Sequence, residues 1–223
     1  MLNTSGGVAG GDRLCGAFEF GAGTSATLTA QAAERFYRAL PGSDPATVRN
    51  QVRVAAGASA EWLPQETILF DRCVVERRLE VDLADDARFL GVETLVFGRA
   101  AMGEVVAQAW LRDAIRIRRG GRWLLHDAVR LDGGVESALR RAPIAAGARA
   151  IATLVHVAPD AEAGLDAVRV ALEAAAVEAG ASAWNGMLVA RLLAADAAAL
   201  RRAVIAVLAV LRSERPLPRV WLC

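Results

Sequence analysis

The block Ala60-Glu-Trp-Leu-Pro-Gln-Glu-Thr-Ile-Leu-Phe-Asp-Arg72 constrains the fold more than any other feature, because it recurs in thinned form on both sides of itself. Thirty-four residues upstream, Ala22, Gly23, Ser25, Ala26, Gln31, Phe36 and Arg38 match Ala56, Gly57, Ser59, Ala60, Gln65, Phe70 and Arg72. Twenty-seven residues downstream, Ala87, Leu90, Glu93, Thr94, Phe97 and Arg99 match Ala60, Leu63, Glu66, Thr67, Phe70 and Arg72. A period near thirty residues marks stacked supersecondary units that bury a continuous core by packing on one another. Stacking would also bring polar residues at equivalent positions into line along one interior.

Around the repeat, Arg13 to Leu131 reads as short strands separated by small residues. The candidates are Phe18 to Phe20, Ala26 to Thr29, Val48 to Val54, Ala60 to Leu63, Thr67 to Phe70, Val74 to Leu83, Phe89 to Phe97, Ala107 to Arg118 and Trp123 to Leu131. Arg78-Leu-Glu-Val-Asp-Leu83 and Asp113-Ala-Ile-Arg-Ile-Arg118 alternate, with one apolar and one charged face. Phe89 to Phe97 is apolar on both faces except for Glu93 and Thr94, and reads as a central strand holding a polar pair. After Arg140 the period changes. Ile151 to Val157 and Met187 to Leu193 read as strands. A helix begins at Pro159-Asp-Ala-Glu, buries Leu165, Val168 and Leu172, and ends at Gly180. Asp196 caps a second helix with a stripe of Leu200, Val204, Leu208 and Leu211. The expected fold is therefore mainly β with a C-terminal α+β part: an irregular, β-helix-like stack of strands over residues 1–140 and a strand-helix-strand-helix portion, 141–223, packed on it.

Composition removes several function classes. The 223 residues include 54% hydrophobic residues, yet no apolar run approaches the length of a bilayer span. Net charge is +1, all 26 basic residues are Arg, and they alternate with acids instead of forming a patch, so no nucleic-acid footprint is present. Cys15, Cys73 and Cys223 are odd in number and widely spaced, which fits a reducing compartment better than a disulfide framework. A cytoplasmic protein with no membrane and no nucleic-acid partner is expected.

The catalytic inventory is thin. His126 and His156 have no Ser or Cys partner in a nucleophile motif. Gly6-Gly-Val-Ala-Gly-Gly-Asp12 lacks the Lys-Ser/Thr ending of a phosphate loop, leaving a sharp turn, or a close backbone approach that aims Asp12 inward. Nothing has the close thiolate or imidazole spacing of a stable transition-metal site. Glu66, Glu93 and Asp127, by contrast, border long apolar stretches, where an ionised carboxylate is costly unless paired or hydrated. They either pair with nearby Arg72, Arg99 and Arg130 or line a hydrated interior that passes a cation without holding it.

Gly6-Gly-Val-Ala-Gly-Gly-Asp12, Phe36-Tyr-Arg38, Glu61-Trp-Leu-Pro-Gln-Glu-Thr-Ile-Leu-Phe70, Gly98-Arg99 and the closing Leu217-Pro-Arg-Val-Trp221 together resemble the urease accessory protein UreD family, called UreH in some organisms. The resemblance covers essentially the whole chain. It implies a non-catalytic chaperone, with no tightly bound cofactor, that binds apo-urease and docks UreF, which recruits the GTPase UreG. It further implies transient Ni2+ passage, with Asp12, Glu93 and Asp127 at the family's internal polar positions. Weak oxygen ligation suits a cation that must leave again. Family members carry a further segment before the glycine-rich turn, so Met1 is expected to mark a truncated or late-called start.

Two rival classes stay open. One is a carboxylate-based hydrolase in a β-solenoid groove, with Glu66 and Glu93 as acid and base. The other is a structural β-repeat scaffold, for which Glu93 would be paired with an Arg.

Overall fold

The computed structural model describes residues 5–99, 102–213 and 215–222; Met1 and Cys223 lie outside these. The chain switches repeatedly between two sheets. Strand β1 (Arg13–Phe20) opens a five-stranded front sheet, and β2 (Ser25–Thr29) and β3 (Glu34–Phe36) pass to an eight-stranded back sheet. The second circuit repeats this with β4 (Ala46–Val54) in front and β5 (Ser59–Leu63) and β6 (Thr67–Leu69) behind. The third has β7 (Val74–Leu83) in front and one long back strand, β8 (Arg88–Phe97). Each strand pairs in parallel with its counterpart from the previous circuit. The front sheet ends with β9 (Gln108–Arg119), parallel to β7, and its hairpin partner β10 (Arg122–Gly134).

Helix α1 (Val135–Arg140) follows, and β11 (Ala150–Val157) then pairs antiparallel with β8, so the back sheet runs on into the C-terminal part. A 3-10 turn at Ala161–Gly164 leads into α2 (Leu165–Ala174), and the antiparallel hairpin β12 (Glu178–Trp184) and β13 (Met187–Ala194) completes the sheet. Helix α3 (Ala197–Arg212) begins where the Asp196 carboxylate accepts the Ala199 N–H at 2.8 Å. With 47% of the described residues in strands and 19% in helices, the protein is mainly β, and two of the three α-helices described lie towards the C-terminus. Among the described residues, no helix is long and apolar enough to cross a membrane.

Register shows which repeat was physical. The upstream match holds along β2 and β5, where Ser25 faces Ser59 and Ala26 faces Ala60, each thirty-four residues apart, but it slips by one at β3 and β6, where Phe36 faces Leu69 and not Phe70. The downstream match does not hold: Ala60 faces Phe89, and Thr67 faces Leu95, not Thr94. Two further corrections concern elements. Gly180 does not end a helix but sits inside β12, and the three-residue β3 had no alternation long enough to announce it.

Strand parity creates the layers. On β8, Leu90, Val92 and Val96 face a core shared with α2 and α3, where Leu172, Leu200, Val204 and Leu208 are buried. Phe89, Leu95 and Phe97 face the other way, between the sheets. The inter-sheet core is itself divided. One cluster holds Leu69, Val75, Leu95 and Leu111, and the other holds Trp62, Leu79, Phe89 and Ile115. What separates them is polar.

Candidate functional site

On two neighbouring strands of the front sheet and on one strand of the back sheet, the residue between the two apolar clusters is charged: Arg77 lies between Val75 and Leu79 on β7, Asp113 between Leu111 and Ile115 on β9, and Glu93 between Phe89 and Leu95 on β8. Because alternate residues share a face, all three point into the gap between the sheets. Arg77 on β7 is directly beside Asp113 on β9 and donates to it through Nε at 3.2 Å and Nη2 at 3.0 Å. The same Nη2 crosses to Glu93 Oε2 on the back sheet at 2.8 Å, and Nη1 donates to the Thr67 hydroxyl. Trp62 Nε1 donates to the other Glu93 oxygen at 2.7 Å. These side chains are nearly sealed from solvent, at 9% exposure for Arg77, 12% for Glu93 and 10% for Asp113.

Electrostatics follow from burial and from unequal numbers. Burial opposes the Arg77 charge, but Asp113 and Glu93 more than offset it and hold the guanidinium above its already high value. Burial pushes the Glu93 carboxyl up; Arg77 and the Trp62 N–H only partly counter this, and the Asp113 charge adds to it. Glu34, on β3, is likewise pushed up by burial and drawn down less strongly by Arg77. One guanidinium thus serves two carboxylates in contact and a third nearby.

The cluster stands between two spaces. On one side a cleft of about 540 Å³ is bounded by Gly6, Gly7, Glu34, Asn50, Arg77 and Glu93, among others. On the other, a pocket of about 20 Å³ is lined by Glu93, Asp113, Asp127 and Thr153. Thr153 on β11 lies in register between Glu93 on β8 and Arg191 on β13. Arg191 crosses to the front sheet and donates to Asp127 at 2.6 Å. Asp127 is 13% exposed and Arg191 60% exposed, so this end of the polar belt reaches solvent.

Glu93 and Asp127 line one pocket, whereas Asp12 lines neither it nor the cleft. Asp12 is exposed, and its carboxylate accepts the Ala9 N–H at 2.8 Å to close the glycine-rich turn, where Gly11 takes a left-handed φ of 87°. The close backbone approach is made by Gly7, where an added Cβ would lie 2.5 Å from the exposed Tyr37 ring. Glu66 sits on the helix side of the back sheet, bound to Arg201 of α3 at 2.6 Å, so it shares no site with Glu93 and supplies no acid–base pair with it. The carboxylates do pair with arginines, but with Arg201, Arg77 and Arg191 instead of the neighbouring Arg72, Arg99 and Arg130. Sequence reasoning passed over Arg77 and Asp113, although each falls on the apolar parity of its strand.

No transition-metal cage is formed: among the described residues, no group of three or more His, Cys, Asp or Glu could hold a metal ion. Cys73 is buried in the inter-sheet core and its thiol is pushed up to about 12 by burial, while Cys15 is exposed. His156 is held below its usual value by burial, and His126 stacks on Trp123 at the surface.

The model of the UreD urease accessory protein family matches residues 1–222. The chain belongs to the UreD family. It is similar to the urease accessory protein UreD of Methylobacterium sp. (strain 4-46), with 50% identity over 99% of this chain and 79% of that protein. It is also similar to urease accessory protein UreD 2 of Methylorubrum populi, with 51% identity over 99% of this chain and 74% of the relative. The UreD of Rhizobium leguminosarum bv. trifolii (strain WSM2304) is 47% identical over 99% of this chain and 80% of its own length. These UreD relatives are accessory proteins, not enzymes, and this member of the family is an accessory protein likewise. The Trp62-Leu-Pro-Gln-Glu66 block that carried the resemblance has a structural role. Trp62 holds Glu93 between the sheets, the Leu63 carbonyl accepts the Trp221 indole N–H at 3.1 Å, and Gln65 and Glu66 receive Arg201.

Proposed function

We propose that this chain is a urease maturation chaperone that binds apo-urease together with UreF and the GTPase UreG in the cytoplasm, and that its polar belt gives Ni2+ an internal route. Family membership supports the urease role. The route rests on one observation: Glu93 and Asp113 border both the large cleft and the small pocket that contains Asp127. A row of carboxylate oxygens, with no thiolate or imidazole cage, suits a cargo cation that is handed on, because oxygen ligands hold nickel less firmly than nitrogen or sulfur. No resident cofactor is needed for this work.

The scaffold reading has one observation in its favour, since Glu93 is paired with Arg77. It leaves unexplained why Asp113, and not an apolar residue, shares the same guanidinium.

Co-expression of the full chain with urease subunits, UreF and UreG tests the proposal. A co-purifying complex is expected, and Glu93→Ala and Asp127→Ala should lower the nickel content of urease without preventing assembly. Asp12→Ala provides the comparison, because the belt geometry expects loading to be retained there. Persistent failure to co-purify would overturn the chaperone reading, and unchanged loading in both belt variants would overturn the route.

A further inference from the structure

The belt is interrupted where a cation would have to cross it. Arg77 spans the gap between the sheets, with Nε and Nη2 on Asp113, Nη2 on Glu93 and Nη1 on Thr67. A guanidinium is planar and delivers its donors as a fixed fork, so these contacts hold it across the passage. Asp113 and Glu93 line the spaces on both sides of the cluster, whereas Arg77 borders only the large cleft. The head group therefore has one direction in which to turn. Glu34 lines that same cleft, and it and Arg77 already feel each other's charge.

We propose that Arg77 is the gate of the route, occupying the cation position between Glu93 and Asp113 when closed and swinging into the cleft towards Glu34 when a divalent cation takes its place. The proposal rests on the polar-route reading above. Charge balance drives the exchange. With Arg77 between them, two carboxylates face one positive charge; a divalent ion neutralises both, and the displaced guanidinium finds a new counter-ion in Glu34. Leaving either charge buried and unpaired would be costly, so the two movements are coupled. Arg77 keeps a carboxylate partner in both arrangements, giving a two-state side-chain switch that cargo itself biases. The gate also selects: a monovalent ion that displaced Arg77 would leave the carboxylate pair no better neutralised than before.

The test is Ni2+ binding by the purified full chain, followed by equilibrium dialysis in wild type and variants whose fold is checked by circular dichroism. Arg77→Gln removes the resident cation and should tighten Ni2+ binding at least about tenfold. Asp113→Asn added to Arg77→Gln should abolish that gain. Glu34→Gln in the wild-type background should weaken binding about threefold or more, yet have no effect beside Arg77→Gln, because there is no longer a guanidinium to receive. A folded Arg77→Gln protein with no gain, or a Glu34→Gln effect of equal size in both backgrounds, would overturn the gate. Should Arg77→Gln fail to fold, wild type against Glu34→Gln decides, since unchanged binding overturns the proposal. No urease is present in this assay, so its outcome is separate from that of the co-expression experiment.

Discussion

Glu61, on β5, is 1% exposed and points away from the inter-sheet belt, towards α3. Arg212 at the end of that helix donates to it through Nε and Nη2 at about 3.0 Å, Arg215 approaches at 2.9 Å, and the Thr27 hydroxyl completes its shell. Burial alone would push this carboxyl up, but its bonds from Arg212 and Thr27 and the charges of Arg212 and Arg215 outweigh burial and hold it below the usual range. Arg212 is 5% exposed, so Glu61→Gln would strand a buried guanidinium. The expected loss is about 3–5 kcal/mol in urea unfolding at neutral pH. By contrast, Arg88→Ala should cost no more than about 1 kcal/mol, because the Arg88–Asp160 pair is 46% and 64% exposed. The pH dependence has a definite sign. A depressed folded pKa means that Glu61 contributes stability above its unfolded value, near about 4.3. That contribution fades as pH falls through the lower folded value, so the gap between wild type and Glu61→Gln should narrow on acidification.

At the level of elements, alternation was readable wherever strands were long, and β7 was bounded correctly from Val74 to Leu83. Failures occurred where local signals were weak or ambiguous. Gly180 resembles a helix terminator, yet α2 already stops at Ala174, and pairing with β13 draws Glu178–Trp184 into the sheet. The belt was half legible for a related reason. Reading Arg78 to Leu83 as alternating places Arg77 on the apolar parity one step earlier, but its partner Glu93 lies across the sheets, where sequence separation carries no information. Helix α3 was clear in cap and stripe, and its energetics can be apportioned. Leu208→Ala empties a fully buried position against the back sheet and should cost about 2–5 kcal/mol. Asp196→Ala removes only the cap bond to Ala199 and should cost about 1 kcal/mol, with Asp196→Asn close to neutral. Thermal melts of the three variants would rank them; a larger loss at Asp196 than at Leu208 would mean that the helix is held by its start and not by its packing.

For the whole molecule, the change of period after Arg140 suggested a body and an appended α+β portion, but hydrogen bonding ignores that boundary. Along β8, Phe89 pairs with Val157 on one side while Ala60 pairs with Phe89 on the other, so one central strand belongs to both halves. Helix α3 reinforces the link through Arg212 to Glu61 and Arg201 to Glu66, and the tail adds Trp221 on Leu63. A fragment of residues 1–140 would expose the β11-facing edge of β8 and the apolar face that α2 and α3 cover. An unpaired edge beside a dry face is a template for association. We therefore expect residues 1–140 expressed alone to aggregate, and co-expression with residues 141–223 to restore a soluble pair. The intact chain should unfold in one transition. Of the five tryptophans, the two buried ones, Trp62 between the sheets and Trp221 in the helix layer, dominate the fluorescence change on unfolding, and far-ultraviolet circular dichroism reports the strands. Coincident urea midpoints from the two probes are the signature of one cooperative unit. Separate midpoints, with a soluble 1–140 fragment, would show instead that the two portions fold independently and that the shared sheet is formed only by docking.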